Sequence, residues 1–198
     1  MTVKHTKTEL KQQKETLYRF YRYLPTLQLK QQQLQLVIHK MKREKEHILL
    51  EKQLRDSSLQ RWIAVFAEDP VLKSLLTIEK FSLGMHSIAG VDIPIFKTIL
   101  FQEETIDAFT TPLWVQDACE EMKEHLTASL RLKVLEHAIY LLEEELRITI
   151  QRVNLFEKVR IPDTKENIRT IKIFLSDLQT AEVVRGKIAK RKIMERCL

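Results

Sequence analysis

Only one pair of residues in the sequence has a spacing typical of metal sites. Glu44 and His47 form a Glu-x-x-His pair, whereas helical di-iron sites need two such pairs together with two further carboxylates. None of the other five histidines follows a glutamate at this spacing. The pair is therefore typical of a solvent-facing helix surface, and the sequence predicts no metal site.

Phosphate-binding and catalytic motifs are missing as well. The chain contains no G-x-G-x-x-G, P-loop, H-E-x-x-H or C-x-x-C, and its three glycines are too few for a phosphate-cradling loop. Trp62 and Trp114 flank the central region and are typical of packing anchors. We therefore predict no catalytic residue and no cofactor, and a structural or binding role rather than an enzyme.

The charge pattern sets the C-terminal end apart. The formal net charge is +6, and Lys and Glu are interleaved over most of the chain, as on the flanks of coiled coils. Near the end, Glu195 is the only acidic residue beside a group of five basic residues, namely Arg185, Lys187, Lys190, Arg191 and Lys192. This tail is either a contact surface for acidic or backbone acceptor groups or a frayed, solvated terminus.

The elements that carry these residues must be few and long, because three glycines and five prolines leave few turns. Residues 1–60 predict an N-terminal shaft helix. From Leu10 to Ile48, nine of the twelve a/d positions of a heptad are apolar. This 3.5-residue period predicts left-handed supercoiling with a second helix. The predicted seam positions are Leu10, Leu17, Phe20, Leu24, Leu27, Leu34, Ile38 and Met41.

Residues 113–198 predict a C-terminal shaft helix that bends near Pro162, because the proline ring crowds the carbonyl one turn earlier. The apolar steps 142-146-150 indicate a stutter that relaxes the supercoil. If the two helices pair antiparallel through the segment that joins them, Pro25 and Pro162 should lie at about the same position along the axis of the coiled coil. The predicted seam positions are Leu135, Ile139, Leu142, Leu146, Val153, Phe156, Ile171, Leu175 and Leu178.

Residues 61–112 predict a small head that contains a short helix and a β-hairpin around 81–101. Gly84 and Gly90 are expected to bracket the turn, with Pro94 at a strand edge. A lone hairpin is marginal in water, so it must pack on the helices or on another protein. The predicted fold class is all-α, a long antiparallel two-helix coiled coil with this small head.

The sequence also bears on the location of the protein. It has no run of eighteen apolar residues and no apolar run near Met1, so we expect neither a membrane span nor a signal peptide. Cys119 and Cys197 lie too far apart along a helix to form a disulfide, which favours a reducing compartment. We expect a cytoplasmic protein.

Two ordered motifs stand out in the sequence. One combines an Arg-x-Asn, a glutamate and an Ile-Pro break (Arg152 to Pro162) before spaced isoleucines and the basic tail, and the other is the Ala-Gly-Val segment with its Pro and Phe (Ala89 to Phe96). In order and spacing, the two motifs resemble the D subunit of the V-type and A-type rotary ATPases. The N-terminal helix departs from the family pattern, since Gln31, Gln32 and Gln33 stand where the family has a basic pair. The family-motif residues are Arg152, Asn154, Glu157, Pro162, Gly90, Val91 and Pro94.

The resemblance implies a non-catalytic central-stalk component, the rotor axle that transmits rotation between a catalytic nucleotide-binding ring and an ion-translocating membrane rotor. It implies as partners the catalytic and non-catalytic ring subunits, the small F subunit of the central stalk and a membrane-rotor adaptor, with no nucleic acid. The protein would be cytoplasmic and membrane-associated through the complex, with the basic tail inside the ring. Two alternatives stay open: an export-ATPase stalk-like coiled coil, or a basic coiled coil that binds nucleic acid.

Overall fold

A computed structural model describes residues 4–60, 77–102 and 114–196 as long helices and one β-hairpin. The predicted fold class, an all-α antiparallel coiled coil with a β-hairpin, is confirmed. The short helix expected in the head lies outside the described residues, as does Trp62. The elements are α1 (Lys7–Leu59), β1 (Ile78–Ile88), β2 (Val91–Phe101), α2 (Trp114–Leu155), a π-helical turn (Phe156–Arg160) and α3 (Ile161–Arg196).

The chain divides into two compact units. The first unit combines residues 1–30 with residues 148–198, and the second comprises residues 31–147. Each unit therefore brings part of α1 together with a later helix. None of the described helices combines the length and the apolarity needed to cross a membrane.

In the first unit, ring contacts show that the helices run antiparallel. His5 stacks near Phe174 with ring centroids 4.9 Å apart, and Phe20 lies 5.2 Å from Phe156. Residue numbers thus rise along one helix as they fall along the other. α1 continues through Pro25 without interruption.

The two prolines that we expected at one level both belong to this first unit. Lys165, three residues after Pro162, places its ammonium group 5.5 Å from the ring of Tyr21, four residues before Pro25. This contact is consistent with the two prolines lying at about the same position along the helix pair. The bend that the prolines would produce stays a prediction.

In the second unit, α1 and α2 are also antiparallel and are joined by ion pairs at their flanks. Lys42 lies 2.7 Å from Glu143, and Lys45 lies 2.8 Å from Glu136. Farther along, Arg55 pairs with Glu124. All these side chains are substantially exposed, so each pair contributes only about 0–1 kcal/mol. The packing between the ion pairs must supply most of the stability.

The hairpin reverses direction at Ala89 and Gly90, which have φ values of 52° and 78°. Positive φ at both central residues is the geometry of a type I′ turn, whose twist matches that of the strands. Ile88 and Val91 pair on either side of this turn. The expectation that Gly84 borders the turn is wrong, because Gly84 lies within β1 opposite Ile95.

The hairpin packs its tip against both helices of the second unit. Ile93, on β2, is buried in one cluster with Leu34 and Ile38 of α1 and with Ala138 and Leu142 of α2. The partly buried residues Ile88, Ala89 and Val91 pack against the same cluster. A hairpin that is marginal alone is thus stabilised by burying its tip on the coiled coil.

Two leucines on α1 offer a matched test of this core. Leu34 is fully buried, whereas Leu36 is 71% exposed. We expect Leu34→Ala to lower the free energy of unfolding by about 2–5 kcal/mol, because the removed methyl groups leave a cavity. Urea unfolding followed by circular dichroism at 222 nm measures the change. The control Leu36→Ala should stay within about 0.5 kcal/mol of the parent chain, and equal effects of the two substitutions would contradict the assigned core.

Candidate functional site

The predicted seam residues differ in how deeply the structure buries them. Seven are buried: Leu34, Ile38, Leu135, Ile139, Leu142, Val153 and Ile171. Nine are partly buried: Leu10, Leu17, Phe20, Leu24, Leu27, Met41, Leu146, Phe156 and Leu175. Leu178 is exposed, because the packed part of α3 ends before it. In the second unit, the buried seam residues fall in two clusters, and Met41 packs against both.

Burial along α2 follows a regular heptad where the sequence indicated a stutter. Thr149 is 1% exposed, whereas Ile150 is only partly buried. The seam therefore runs from Leu142 through the partly buried Leu146 to the buried Thr149 and Val153, in steps that alternate between three and four residues. Sequence reasoning missed Thr149 because it searched for apolar residues, and the unbroken 3.5-residue period was the signal that could have found it.

The π-helical turn shifts the seam by one residue. Continuing the heptad from Val153 and Phe156 would place Arg160, Asp163 and Asn167 against α1, but these residues are not buried. The buried residues are instead the next ones along the chain, Ile161, Thr164, Ile168 and Ile171. The N–H of Ile161 donates to the carbonyl of Phe156, five residues back. A wider turn of this kind absorbs one extra residue, so the apolar stripe stays aligned with its partner helix.

The family-motif residues fall on two parts of the molecule. Arg152, Asn154 and Glu157 are exposed, while their neighbour Val153 is buried. Pro162 is also exposed and lies two residues after the end of the π-helical turn. In the hairpin, Gly90 supplies one of the two positive φ values, Val91 packs on the core cluster and Pro94 pairs with Met85. The structure thus places three polar motif residues on the solvent side of a packed helix.

The C-terminal part of α3 is exposed on every side. All residues from 176 to 195 are exposed, including the five basic residues of the tail. Among those five, only Arg191 has an ion pair within the described part of the chain, to Glu195 at 3.7 Å. The apolar residues of this stretch are exposed as well: Leu178, Val183, Val184, Ile188, Ile193 and Met194.

The polar and reactive groups elsewhere form no catalytic arrangement among the described residues. Glu44 lies 3.9 Å from Arg131, and His47 lies 3.3 Å from Glu51. The pair with metal-like spacing thus makes separate surface contacts. Cys119 is a buried free thiol, and its burial raises its pKa, an effect that nearby Lys123 partly opposes. A thiol with a raised pKa is a weak nucleophile at neutral pH.

Comparison with known proteins matches this architecture to one family. A family model described as the ATP synthase D subunit matches residues 9–191. The V-type ATP synthase D subunit of Borreliella burgdorferi is 44% identical over 194 residues, which cover 98% of this chain and 96% of that protein. The D subunits of Chlamydia felis and Chlamydia muridarum are 34% and 32% identical, with 98% of this chain covered in both cases.

The chain belongs to the ATP synthase D subunit family. The resemblance inferred from its two motifs is thus confirmed over nearly the whole length. The match includes the hairpin, the π-helical turn and most of the exposed tail, so these are parts of a D subunit rather than additions to one.

Two threonines in this D subunit should respond in opposite ways to the same substitution. The buried hydroxyl of Thr149 has no hydrogen-bond partner among the described residues, whereas that of Thr164 donates to the carbonyl of Arg160 at 2.7 Å. We expect Thr149→Val to raise the free energy of unfolding by about 1 kcal/mol, because an unpaired polar group leaves the core. Thr164→Val should lower it by about 1 kcal/mol, because a hydrogen bond is lost.

Thermal and urea unfolding of the two variants, measured side by side, check these signs. The same hydroxyl-to-methyl change is made at both positions, so effects of β-branching and of side-chain size cancel in the comparison. A stabilising effect at Thr164 or a destabilising effect at Thr149 would contradict the assigned hydrogen bonding.

Proposed function

We propose that this D subunit is the non-catalytic rotor axle of a V-type ATP synthase. In this role it transmits rotation between the nucleotide-binding ring and the ion-translocating membrane rotor. The proposed partners are the catalytic and non-catalytic ring subunits, the small F subunit of the central stalk and a membrane-rotor adaptor. The chain would be cytoplasmic and would reach the membrane only through the complex. Relatives named as D subunits of V-type ATP synthases support this proposal.

The exposed tail of α3 is the observation that carries the proposal. Successive residues of an α-helix are rotated by about 100°, so Leu178, Val183 and Val184 point in three different directions. The five basic residues are likewise spread around the circumference. A single flat partner can cover only one side of a helix, whereas a surrounding channel contacts all sides. Exposed apolar and basic groups on every side therefore favour enclosure by a ring.

The packed parts of the helices suit the transmission of torque. The buried seam residues in each unit resist sliding and rotation of one helix against the other, because close-packed side chains have little room to move. The flanking ion pairs are exposed and add little. Rotation couples to catalysis only if the axle contacts the ring subunits unequally and so favours a different conformation in each. The exposed side chains of the tail supply an irregular surface of this kind.

The two alternatives are less well supported. An export-ATPase stalk consisting of a plain helical hairpin has no use for a β-hairpin, yet this chain buries Ile93 of its hairpin in the main core. Nucleic-acid binding favours a continuous basic face, and the tail cations instead lie around the helix among apolar side chains.

Purification through a tag on this chain is the direct test of the proposal. We expect a nucleotide-binding ring and a small partner protein to copurify. A bead attached to this chain should then rotate when the immobilised ring hydrolyses ATP. Copurification of a ring whose hydrolysis leaves the bead stationary would contradict the axle role.

The tail lysines provide a matched prediction. We expect the combined substitutions Lys187→Gln, Lys190→Gln and Lys192→Gln to weaken binding to the ring roughly tenfold, because three favourable charge contacts are lost. The control carries Lys7→Gln, Lys11→Gln and Lys14→Gln, which remove the same charge from exposed positions on α1. Titration of labelled chain into purified ring at several salt concentrations measures both. Equal weakening in the two variants would contradict placement of the tail inside the ring.

A further inference from the structure

The β-hairpin has apolar side chains on both faces. One face carries Ile93, which is buried against the helices. The opposite face carries Leu83 and Met85, whose cross-strand partners are Phe96 and Pro94. Phe81 also lies near Phe96, with ring centroids 6.0 Å apart. An antiparallel sheet with one solvated face normally alternates apolar and polar residues, so this second face is typical of a sheet that is covered on both sides.

A groove of about 430 Å³ runs between this second face and α2. Phe81, Leu83 and Met85 line it on the hairpin side, and the helix side is lined by Leu130, Val134 and Leu141. The three hairpin residues are exposed, with Met85 at 72%. From Leu130 to Leu141 the groove extends along about 16 Å of helix, at 1.5 Å per residue. That length accommodates about three turns of a second helix.

The charged residues at the rim of the groove favour an acidic occupant. Lys133 and His137 lie one turn apart on α2, and Asp92 is the only carboxylate among the lining residues. No carboxylate of the described residues lies within ion-pair distance of Lys133. A helix that enters the groove with Asp or Glu on its flank would therefore supply a partner for Lys133, while its apolar stripe covers Leu83 and Met85.

We propose that this groove binds one amphipathic helix with an acidic flank, contributed by another protein of the complex. The inference rests on the proposed function only in that the partner belongs to the same complex. A second copy of this chain is a poorer occupant on grounds of charge, because its exposed tail helix carries Arg185, Lys187 and Lys190 rather than an acidic flank.

Site-specific photo-cross-linking in the assembled complex tests this proposal. Met85→p-benzoylphenylalanine places the probe in the groove, and Leu100→p-benzoylphenylalanine is the control. Leu100 is also exposed on the hairpin, at 52%, but does not line the groove. The complex is purified through a tag on this chain and irradiated, and mass spectrometry identifies the cross-linked peptides. We expect position 85, and not position 100, to react with an acidic amphipathic helix of another protein in the complex.

A charge reversal at the rim completes the experiment. Adding Lys133→Glu to the position-85 probe should reduce the yield of that adduct at least fivefold, whereas Lys172→Glu, at an exposed position on α3, should leave it unchanged. An adduct to a second copy of this chain, to its own residues 61–76 or to a β-strand of a partner protein would overturn the proposal. Copurification of the ring without any adduct at position 85 would overturn it as well. Failure of the ring to copurify would contradict the proposed function and the inference with it.

Discussion

The apolar seam between antiparallel helices is the interaction on which the rest of this D subunit depends. Long helices rich in Lys, Glu and Gln are only marginally stable alone, and tertiary packing of one face supplies most of their stability. In the second unit that packing is centred on Leu34, Ile38 and Leu142, which also receive the hairpin residue Ile93. The same side chains thus hold the helices together and anchor the hairpin.

Alignment of the seam is a constraint on the sequence as well as a source of stability. In the first unit, the extra residue between Phe156 and Ile161 would rotate the following stripe away from α1 if the helix were regular. The π-helical turn absorbs that residue, so Ile161, Thr164 and Ile168 are buried while Arg160 and Asp163 remain exposed. The polar motif residues Arg152, Asn154 and Glu157 lie in or just before this turn. The turn therefore fixes which side chains of α3 face α1 and which face solvent.

Much of this fold could be predicted from the sequence, because one period governs most of it. The heptad count led directly to Leu34, Ile38 and Leu142, and the scarcity of glycine and proline indicated few and long elements. The same count could not find Ile161 or Thr164. A fixed 3.5-residue period predicts Arg160 and Asp163 as the buried positions, because it does not include the one extra residue that the π-helical turn absorbs. Pro162 indicated that the helix is irregular near this position, but not that the buried positions shift by one residue.

The hairpin and the tail show two further limits of sequence reasoning. Gly84 and Gly90 are equivalent as turn signals, and only the strand register shows that the turn lies at Ala89 and Gly90. In the tail, Leu178 continues the apolar spacing of the seam but is exposed, with no helix of the described residues packed over it. Periodicity shows which residues share a side of a helix, whereas the extent of the partner decides where burial stops.

In the proposed axle role, the exposed tail has a consequence for the order in which this chain and the ring assemble. Starting a helix from a disordered segment is unfavourable, because several residues must be fixed before the first hydrogen bond forms. Here the buried turns of α3 around Ile168 and Ile171 already supply that nucleus, and the tail extends from it one hydrogen bond per residue. In the proposed assembly, the tail therefore enters the ring as a preformed helix, with little further loss of backbone entropy.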